Sequence, residues 1–249
     1  MAIRILDAAR NSAAWCDLVC HTHGVSTVAG ERFWVARHRA PHLYPDAVTV
    51  AESVAPEEFL PAIDNTTGAS IKDSYASLNL TPFGYEVQFD ADWIAHDGGA
   101  CEPAAAPEPV ATGAEPPPGP ELPPGWSVVE DSHALARWSA VSGLGHLIRS
   151  ELLSHPDVRI LAGHDQHGIN AGAILSRGAG AVGVTNLFAA GPDPQIVWSA
   201  VVTAATSCFP GLPLCGYEQG RDLAPALGAG FAPIGRLQVW VKSDHGART

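Results

Sequence analysis

The most obvious candidates for chemistry are the cysteines and histidines of the segment CDLVCHTH, near the start of the chain. On a helix, Cys16, Cys20 and His23 would share one face, at positions i, i+4 and i+7, with His21 beside them. A structural zinc site needs four ligands in a tetrahedral array, usually from two separated pairs. No second Cys/His pair with matching spacing follows in the sequence. We therefore predict no metal site and interpret the cysteines as small apolar residues on a core face.

A second cluster, His164 and His167 in the segment HDQH, could bind a metal or relay a proton. It lies between two apolar runs, where a turn is predicted and polar residues are common, so we favour the turn. The sequence contains no Gly-x-Ser-x-Gly elbow, phosphate-binding Walker loop, dinucleotide fingerprint or His-Glu-x-x-His motif. Their absence argues against most hydrolases, nucleotidases, dehydrogenases and zinc proteases.

The charge of the chain is strongly acidic and unevenly distributed. The 249 residues carry 14 Lys and Arg against 26 Asp and Glu, for a net charge of −12. Six basic and 13 acidic residues fall in 1–97, none and four in 98–125, and eight and nine in 126–249. Nothing resembles the basic surface that nucleic acid requires, so no nucleic-acid partner is expected.

Localisation follows from the termini and the cysteines. No run approaches the ~18 apolar residues of a membrane span, and the N-terminal residues lack the features of a secretory signal. The five cysteines are odd in number and scattered, which is typical of a reducing compartment rather than of a disulfide framework. We therefore expect a cytoplasmic protein without a membrane partner.

The clearest boundary is the segment 98–125, which holds nine of the 21 prolines. Proline fixes φ and removes a backbone donor, so neither a helix nor a sheet ladder can form there. We predict an extended, acidic spacer that separates a module at 1–97 from a module at 126–249.

The elements of the second half follow from turn residues and apolar periodicity. Gly-containing turns separate three β-like runs, which indicates an antiparallel meander, and Asp193-Pro194 marks a helix start. The predicted order begins with a helix over HALARWSAV, for which Asp131 and Ser132 offer an N-cap, and a short helix over HLIRSELL. Strands at 158–163, 171–176 and 181–189, a helix after Asp193 and a strand at 212–218 follow. A short helix and one or two strands in FAPIGRLQVWV end the chain.

The first half repeats this pattern in part. A helix over SAAWCDLVCHTH precedes two β-like runs, ERFWVARHR and DAVTVAE, and a helix around PEEFLPAID. Its last stretch can be aligned with the end of the chain by matching Gly84-Tyr85 to Gly230-Phe231. This match suggests a duplicated α/β unit.

This element order, with its short helix, Gly-aromatic pair and final strand, resembles the GNAT superfamily of acyl-CoA N-acetyltransferases. The likeness covers 127–242 and, more faintly, 1–97 as a degenerate copy. It implies an α/β fold with a mixed, largely antiparallel sheet flanked by helices, in two related modules joined by the Pro-rich linker. It also implies acetyl-CoA or another acyl-CoA as a substrate.

The resemblance assigns the cofactor-binding residues to the third strand of the meander and the loop after it. The strand backbone would hold the pantetheine, and a Gly-rich loop at the helix N-terminus would hold the pyrophosphate. The matching residues are Asn186, Leu187, Phe188, Ala189, Gly191 and Gln195. The family loop reads Arg/Gln-x-x-Gly-x-Gly/Ala, whereas this loop has one Gly, two prolines and Asp193. Asp193 would repel a pyrophosphate, and we favour its interpretation as the helix N-cap.

The catalytic residues of the family are replaced as well. Its general acid is often a Tyr four residues before the Gly-aromatic pair, where this chain has Ala226 and, in the first half, Leu80. Glu218 and Tyr217, at the end of the strand 212–218, are the candidate substitutes. Glu218, or a bound water, would take the proton of an amine, provided that burial raises the pKa of Glu218, and Tyr217 would protonate the thiolate. The alternatives are a solvated carboxylate at a strand end and a packed aromatic ring.

Two functions remain open from the sequence. One is an acyltransferase that moves an acyl group from acyl-CoA to an amine of a small molecule or protein. The other is a catalytically inactive GNAT-like module for ligand sensing or protein interaction. The oligomeric state is open as well, and a homodimer is compatible with either function. An open wedge between strands 181–189 and 212–218 would favour the enzyme, and a filled wedge the module.

Overall fold

The computed structural model describes residues 2–98 and 120–244, and its strands form a single mixed sheet. Within the described residues, two strand pairs are parallel, β3–β4 and β9–β10, and the other pairs are antiparallel. The order across the sheet is β1-β2-β3-β4-β11-β5-β10-β9-β8-β7-β6. The strands are β1 (Thr27–Ala29), β2 (Phe33–Ala36), β3 (Ala47–Thr49), β4 (Ser70–Asp73), β5 (Tyr85–His96), β6 (Trp126–Val128), β7 (Val158–Asp165), β8 (Gly168–Gly178), β9 (Ala181–Ala189), β10 (Leu214–Glu218) and β11 (Ala232–Lys242).

Helices cover both faces of this sheet. The apolar residues of α1 and α3 pack on one face, and those of α4 and α5 pack on the other. The helices are α1 (Ile5–Thr22), α2 (Pro56–Phe59), α3 (Ser132–Ser142), α4 (Pro194–Cys208) and α5 (Leu223–Gly228). The predicted α/β fold, with a largely antiparallel sheet flanked by helices, is therefore confirmed. Every helix in the described ranges is too short or too polar to cross a membrane.

The last strand of each half of the chain lies beside strands of the other half. β11, from the C-terminal half, lies between β4 and β5, and β5, from the N-terminal half, lies between β11 and β10. Before this exchange, the first half has three successive antiparallel strands, β1 to β3, and the second half has four, β6 to β9. In each half the last of these strands then forms a parallel pair with the next one. The two halves thus share one continuous hydrogen-bonded sheet, and the predicted boundaries at 1–97 and 126–249 stay a prediction.

The meander, the capped helices and the short strand were predicted correctly. β7, β8 and β9 pair antiparallel in sequence, and the Asp131 and Asp193 carboxylates accept hydrogen bonds from the first turns of α3 and α4. The run FAPIGRLQVWV forms one strand, β11, after the turn at Gly230.

Two predicted helices are shorter than expected, and three strands were missed. HLIRSELL contains only a 3-10 turn at Ser150–Ser154. The segment around PEEFLPAID stops being α-helical at Phe59, because Pro61 cannot donate a helical hydrogen bond, and continues as a 3-10 turn at Leu60–Ala62. The strands β1, β4 and β6, of three or four residues each, are too short to show a periodic pattern in the sequence. Most of the predicted spacer, 99–119, lies outside the described residues.

Helix α1 connects the first half of the chain to the strands of the second half. Its apolar face, including Ala8, Ala9 and Cys16, packs against β9 and β10. Asn11, which is 3% exposed, directs its side-chain amide to the turn between β8 and β9. The amide nitrogen lies 3.0, 3.0 and 3.3 Å from the carbonyl oxygens of Ser176, Gly178 and Ala181. These hydrogen bonds fix the position of α1 over the sheet.

We predict that Asn11→Ala lowers the free energy of unfolding by about 1–3 kcal/mol, because it leaves buried carbonyl groups without a donor. The measurement is urea unfolding followed by circular dichroism. Arg10→Ala, at an exposed position of the same helix, is the control and should change the value by less than about 0.5 kcal/mol. Equal unfolding midpoints for Asn11→Ala and the wild type would contradict this role.

Candidate functional site

Strands β9 and β10 run parallel for a short distance and then diverge. Their paired residues are Val182 with Leu214 and Gly183 with Cys215, although β10 continues to Glu218. Beyond this point β10 is held by β5 alone, through the three pairs that end at Glu218 and Asp92. The space between the two strands therefore widens into a wedge at this end of the sheet.

A bulge in β9 lies at the opening of the wedge. The register of β8 against β9 shifts here, so that Asn186 and Leu187 together oppose Ala173 of β8. Asn186 has φ 53°, a left-handed conformation that Asn tolerates better than most residues. A bulge leaves one residue out of the ladder and bends its strand, so it contributes to the divergence of β9 from β10.

A small cavity lies beside the divergence, on the face of the sheet that α1 covers. Its volume is ≈ 70 Å³, and its lining comes from both halves of the chain. Strands β9 and β10 form one wall, helix α1 forms the roof, and the loop between β2 and β3 closes the side. The polar and ionisable lining residues are Asn11, Ser12, Trp15, Cys16, Tyr44, Lys72, Trp93, Ser176, Thr185, Asn186, Cys215 and Tyr217.

Tyr217 lines this cavity from β10. Its ring packs edge-on against Trp93, with 5.6 Å between ring centroids, and the Lys72 ammonium lies 4.3 Å from the centre of its face. Tyr217 is thus both a packed aromatic residue and a wall of the cavity. Two thiols also line the cavity, but burial raises the pKa of Cys16, and it raises the pKa of Cys215 to about 12. Neither thiol is therefore an activated nucleophile at neutral pH.

Glu218 follows Tyr217 on β10, and its side chain points to the opposite face of the sheet, where α4 and α5 pack. It is partly buried, and no hydrogen bond or ion pair to its carboxylate exists within the described residues. Burial, with a smaller effect from the Asp222 carboxylate, raises its pKa from 4.5 to about 7. A carboxylate with this pKa can accept a proton near neutral pH, which is what the sequence argument required of a general base.

The N-terminus of α4 differs from a phosphate-binding loop. The Asp193 carboxylate accepts a hydrogen bond of 2.8 Å from the Gln195 backbone N–H, and the Ala190 N–H donates to the Asn170 carbonyl at 2.7 Å. Pro192 and Pro194 have no N–H to donate. The predicted N-cap role of Asp193 is confirmed, and few backbone donors remain for a ligand at this position.

The other residues that the sequence assigned to the cofactor lie on different sides of β9. Leu187 and Ala189 pack toward α4, whereas the Phe188 ring packs against Trp138 at a centroid distance of 5.3 Å on the other face. The Gln195 side chain lies against Gly228 of α5, with its amide nitrogen 3.4 Å from the Gly228 carbonyl. Gly191 has φ 124°, a conformation that other residues rarely adopt.

The corresponding parallel pair in the first half of the chain, β3 and β4, is closed. The Thr49 hydroxyl accepts a hydrogen bond of 2.8 Å from the Ser74 N–H. Asp73 accepts hydrogen bonds from the N–H groups of Leu78 and Tyr75. All three side chains at this junction, Thr49, Asp73 and Ser74, are at most 2% exposed, so polar groups fill the space between β3 and β4.

Most residues of the cavity were not predicted from the sequence. Lys72, Ser12, Trp15, Tyr44 and Ser176 come from three elements and one loop that are far apart in the chain. One signal was present: Lys72 is one of only two lysines in the chain and directly follows the apolar residue Ile71. Among the described residues, no group of three or more His, Cys, Asp or Glu side chains is placed to hold a metal ion.

We predict that Glu218→Gln stabilises the protein at pH 8 but not at pH 4.5. The folded-state pKa of about 7 lies above the unfolded value of 4.5, so the folded protein binds the extra proton between these pH values. Stability is therefore lost as the pH rises through this window. After allowance for partial exposure, the advantage of the variant at pH 8 should be about 1–2 kcal/mol, measured by urea unfolding. A difference between the two proteins that does not change with pH would contradict the raised pKa.

No family model matches this chain, and no curated protein matches it in sequence. Solved structures do match its fold. A GCN5-related N-acetyltransferase from Kribbella flavida superposes with a TM-score of 0.62 over 99% of this chain and 98% of its own, at 16% identity. An acetyltransferase of the GNAT family from Novosphingobium aromaticivorans superposes with a TM-score of 0.55 over 97% of this chain and 100% of its own, at 11% identity. The chain therefore has the fold of these two proteins along nearly its whole described length.

Proposed function

We propose that the protein is an N-acyltransferase that moves an acyl group from an acyl-CoA to an amine. The observation that carries the proposal is the divergence of β9 and β10 beside a cavity, with Glu218 at the end of β10. The two structural neighbours described as acetyltransferases support the same reaction class, because they share the fold that forms this wedge.

In the proposed reaction, the amine nitrogen forms a bond to the thioester carbonyl carbon, and the carbon–sulfur bond breaks. Glu218 accepts the proton that the amine loses, directly or through a water, and the Tyr217 hydroxyl donates a proton to the departing thiolate. Exchange with solvent then returns both residues to their starting forms. The wedge lies in the plane of the sheet, so residues on opposite faces of β10 can reach a group bound within it.

The acyl-CoA would lie along β9. The backbone of residues 186–189, which the bulge bends away from β10, would hold the pantetheine and direct the thioester into the wedge. Gly191 and Gln195 would lie near the phosphates at the start of α4. The lack of a pyrophosphate cradle predicts weak binding of the nucleotide end, so affinity would depend mainly on the pantetheine and acyl group.

The N-terminal half fits the role of a second, non-catalytic copy of the same unit. Its strands lead into a parallel pair and an exchanged last strand, as in the C-terminal half. Its own parallel pair is closed by the hydrogen bonds of Thr49 and Asp73. We propose that this half supplies α1, Tyr44 and Lys72 to the wedge of the other half and has no active site of its own.

A non-catalytic module for ligand sensing or protein interaction is the second candidate, and the start of α4 favours it. Asp193 places a negative charge, and two prolines remove donors, where a pyrophosphate would bind. Calorimetric titration with acetyl-CoA up to millimolar concentration separates the candidates. Saturable binding supports the transferase, and the absence of binding refutes it.

For the transferase, we predict that turnover with acetyl-CoA rises with pH with an apparent pKa near 7, because Glu218 must be deprotonated to accept a proton. Glu218→Gln should lower kcat at least ~100-fold and abolish this pH dependence. Release of free CoA thiol measures the rate. Glu57→Gln, an exposed carboxylate on α2, is the control and should leave the profile unchanged. A Glu218→Gln variant with wild-type kcat would exclude Glu218 as the base.

We predict that Asp193→Asn binds acetyl-CoA roughly tenfold more tightly than the wild type, because it keeps the helix cap and removes the charge near the phosphates. Asp131→Asn makes the same change at the cap of α3 and should not alter the affinity. Calorimetry measures both. The same dissociation constant for Asp193→Asn and wild type would show that the phosphates bind elsewhere.

A further inference from the structure

Lys72 is a buried cation that no carboxylate neutralises. It is 5% exposed, and its ammonium donates a hydrogen bond of 3.0 Å to the Ser12 hydroxyl and lies 4.3 Å from the centre of the Tyr217 ring. Within the described residues, no carboxylate oxygen lies within 4 Å of it. Its neighbour Asp73 instead accepts hydrogen bonds from the N–H groups of a turn. A buried charge without a counter-ion is costly, and a hydroxyl and a ring face compensate only part of that cost.

Three further polar atoms of the same cavity lack hydrogen-bond partners. Five buried side-chain polar atoms are without a partner in the described part of the chain, and three of them, Trp15 Nε1, Tyr44 Oη and Ser176 Oγ, belong to residues that line this cavity. Burial raises the pKa of Tyr44, and the neighbouring Trp15 indole lowers it in part. The two side chains are close together but do not form a hydrogen bond of normal geometry. Buried polar atoms are usually satisfied, so this concentration of unused donors points to a ligand.

The chemistry of the lining selects the kind of ligand. It contains one cation, several N–H and O–H donors, and no Asp or Glu, although the chain as a whole has a net charge of −12. A planar monoanion with several acceptor lone pairs, such as a carboxylate, matches one ammonium and neighbouring donors. The volume of ≈ 70 Å³ exceeds the ~10–15 Å³ that one water occupies on this measure, so a carboxylate and a short carbon chain fit.

A groove next to the cavity indicates that the carboxylate is part of the amine substrate and not of the acyl-CoA. A groove of ≈ 540 Å³, lined mostly by residues of the N-terminal half of the chain, lies next to the cavity. It shares Lys72, Tyr217 and the loop at 43–45 with the cavity. None of the residues that line this groove belongs to β9, to α4 or to the loop between them. The groove therefore gives the second substrate its own route to Lys72, separate from the strand along which the acyl-CoA would lie.

We infer that the cavity at Lys72 binds the carboxylate of the acceptor, so that the acceptor is a small amine that also carries a carboxylate, as amino acids do. The identity of this acceptor as the amine that is acylated rests on the proposed function; the carboxylate site itself does not. In this arrangement Lys72, Tyr44, Trp15 and Ser176 donate hydrogen bonds to the carboxylate, and the amino group extends toward the opening between β9 and β10.

The test is a thermal-shift screen of the full chain, without CoA, against L-amino acids and their carboxamides, followed by calorimetry of the hits. The carboxylates should raise Tm and the matched carboxamides should not, because only the former carry the charge that Lys72 recognises. Lys72→Met should weaken binding at least ~10-fold, since it removes a charged donor. Lys242→Met is the matched control, because Lys242 also packs on a tyrosine ring, Tyr85, but lies outside the cavity. It should bind as the wild type does.

Two further measurements keep the result interpretable. Tyr44→Phe removes one unpartnered hydroxyl with little change in shape and should weaken binding roughly 3- to 10-fold, even if Lys72→Met fails to fold.

Acetyl-CoA should bind Lys72→Met as it binds the wild type. Acetyl-CoA binding without any carboxylate binding would overturn this inference and leave the proposed function standing. Carboxylate binding without acetyl-CoA binding would support the carboxylate site and overturn the proposed function. A Lys72-dependent preference for succinyl-CoA over acetyl-CoA, with no binding of free amino acids, would overturn the assignment to the acceptor.

Discussion

The functional features of this protein depend on the short pairing between β9 and β10, which is limited to two residue pairs. Each of the two strands has a different outer partner: β8 holds β9, and β5 holds β10 along its whole length. The bulge at Asn186 bends β9, while β10 continues straight beside β5 to Glu218. Two parallel pairs are enough to join the sheet, and the space beyond them becomes the wedge. A longer ladder between these strands would fill the place where the cavity opens.

The exchange of β5 and β11 makes this arrangement dependent on both halves of the chain. β10 has its partner in β5, from the first half, and the cavity takes its roof from α1 and its cation from β4. The first half thus contributes to a site whose opening lies in the second half. Its own parallel junction is closed instead, because the buried side chains of Thr49 and Asp73 form hydrogen bonds with each other and with neighbouring backbone N–H groups.

The electrostatics of the two faces of β10 are opposite in character. On the α1 face, Lys72 provides a positive charge among unused donors, whereas on the α4 face Glu218 is a carboxyl whose pKa is raised to about 7 by burial. The Lys72 ammonium and the ionised form of Glu218 both lie in buried or partly buried positions at a cost to stability, which is typical of residues that act on a ligand. At the start of α4, Asp193 serves the stability of the helix, and that same charge opposes a phosphate.

The sequence by itself determined the elements that rest on local chemistry. The meander, the caps at Asp131 and Asp193, the helix α4 and the final strand all follow from turn residues, capping side chains and apolar periodicity within short windows. For Glu218 the sequence supplied only the condition for a base, a pKa raised by burial, and left a solvated carboxylate as the alternative; the burial itself depends on the packing at the end of β10. The resemblance carried by this element order led to the fold that the solved structures share. Only the tertiary structure decided the strand exchange and the cavity at Lys72. These depend on contacts between residues such as Ser12, Lys72 and Tyr217, which lie far apart in the chain, and no local pattern of side chains specifies which distant strands become neighbours.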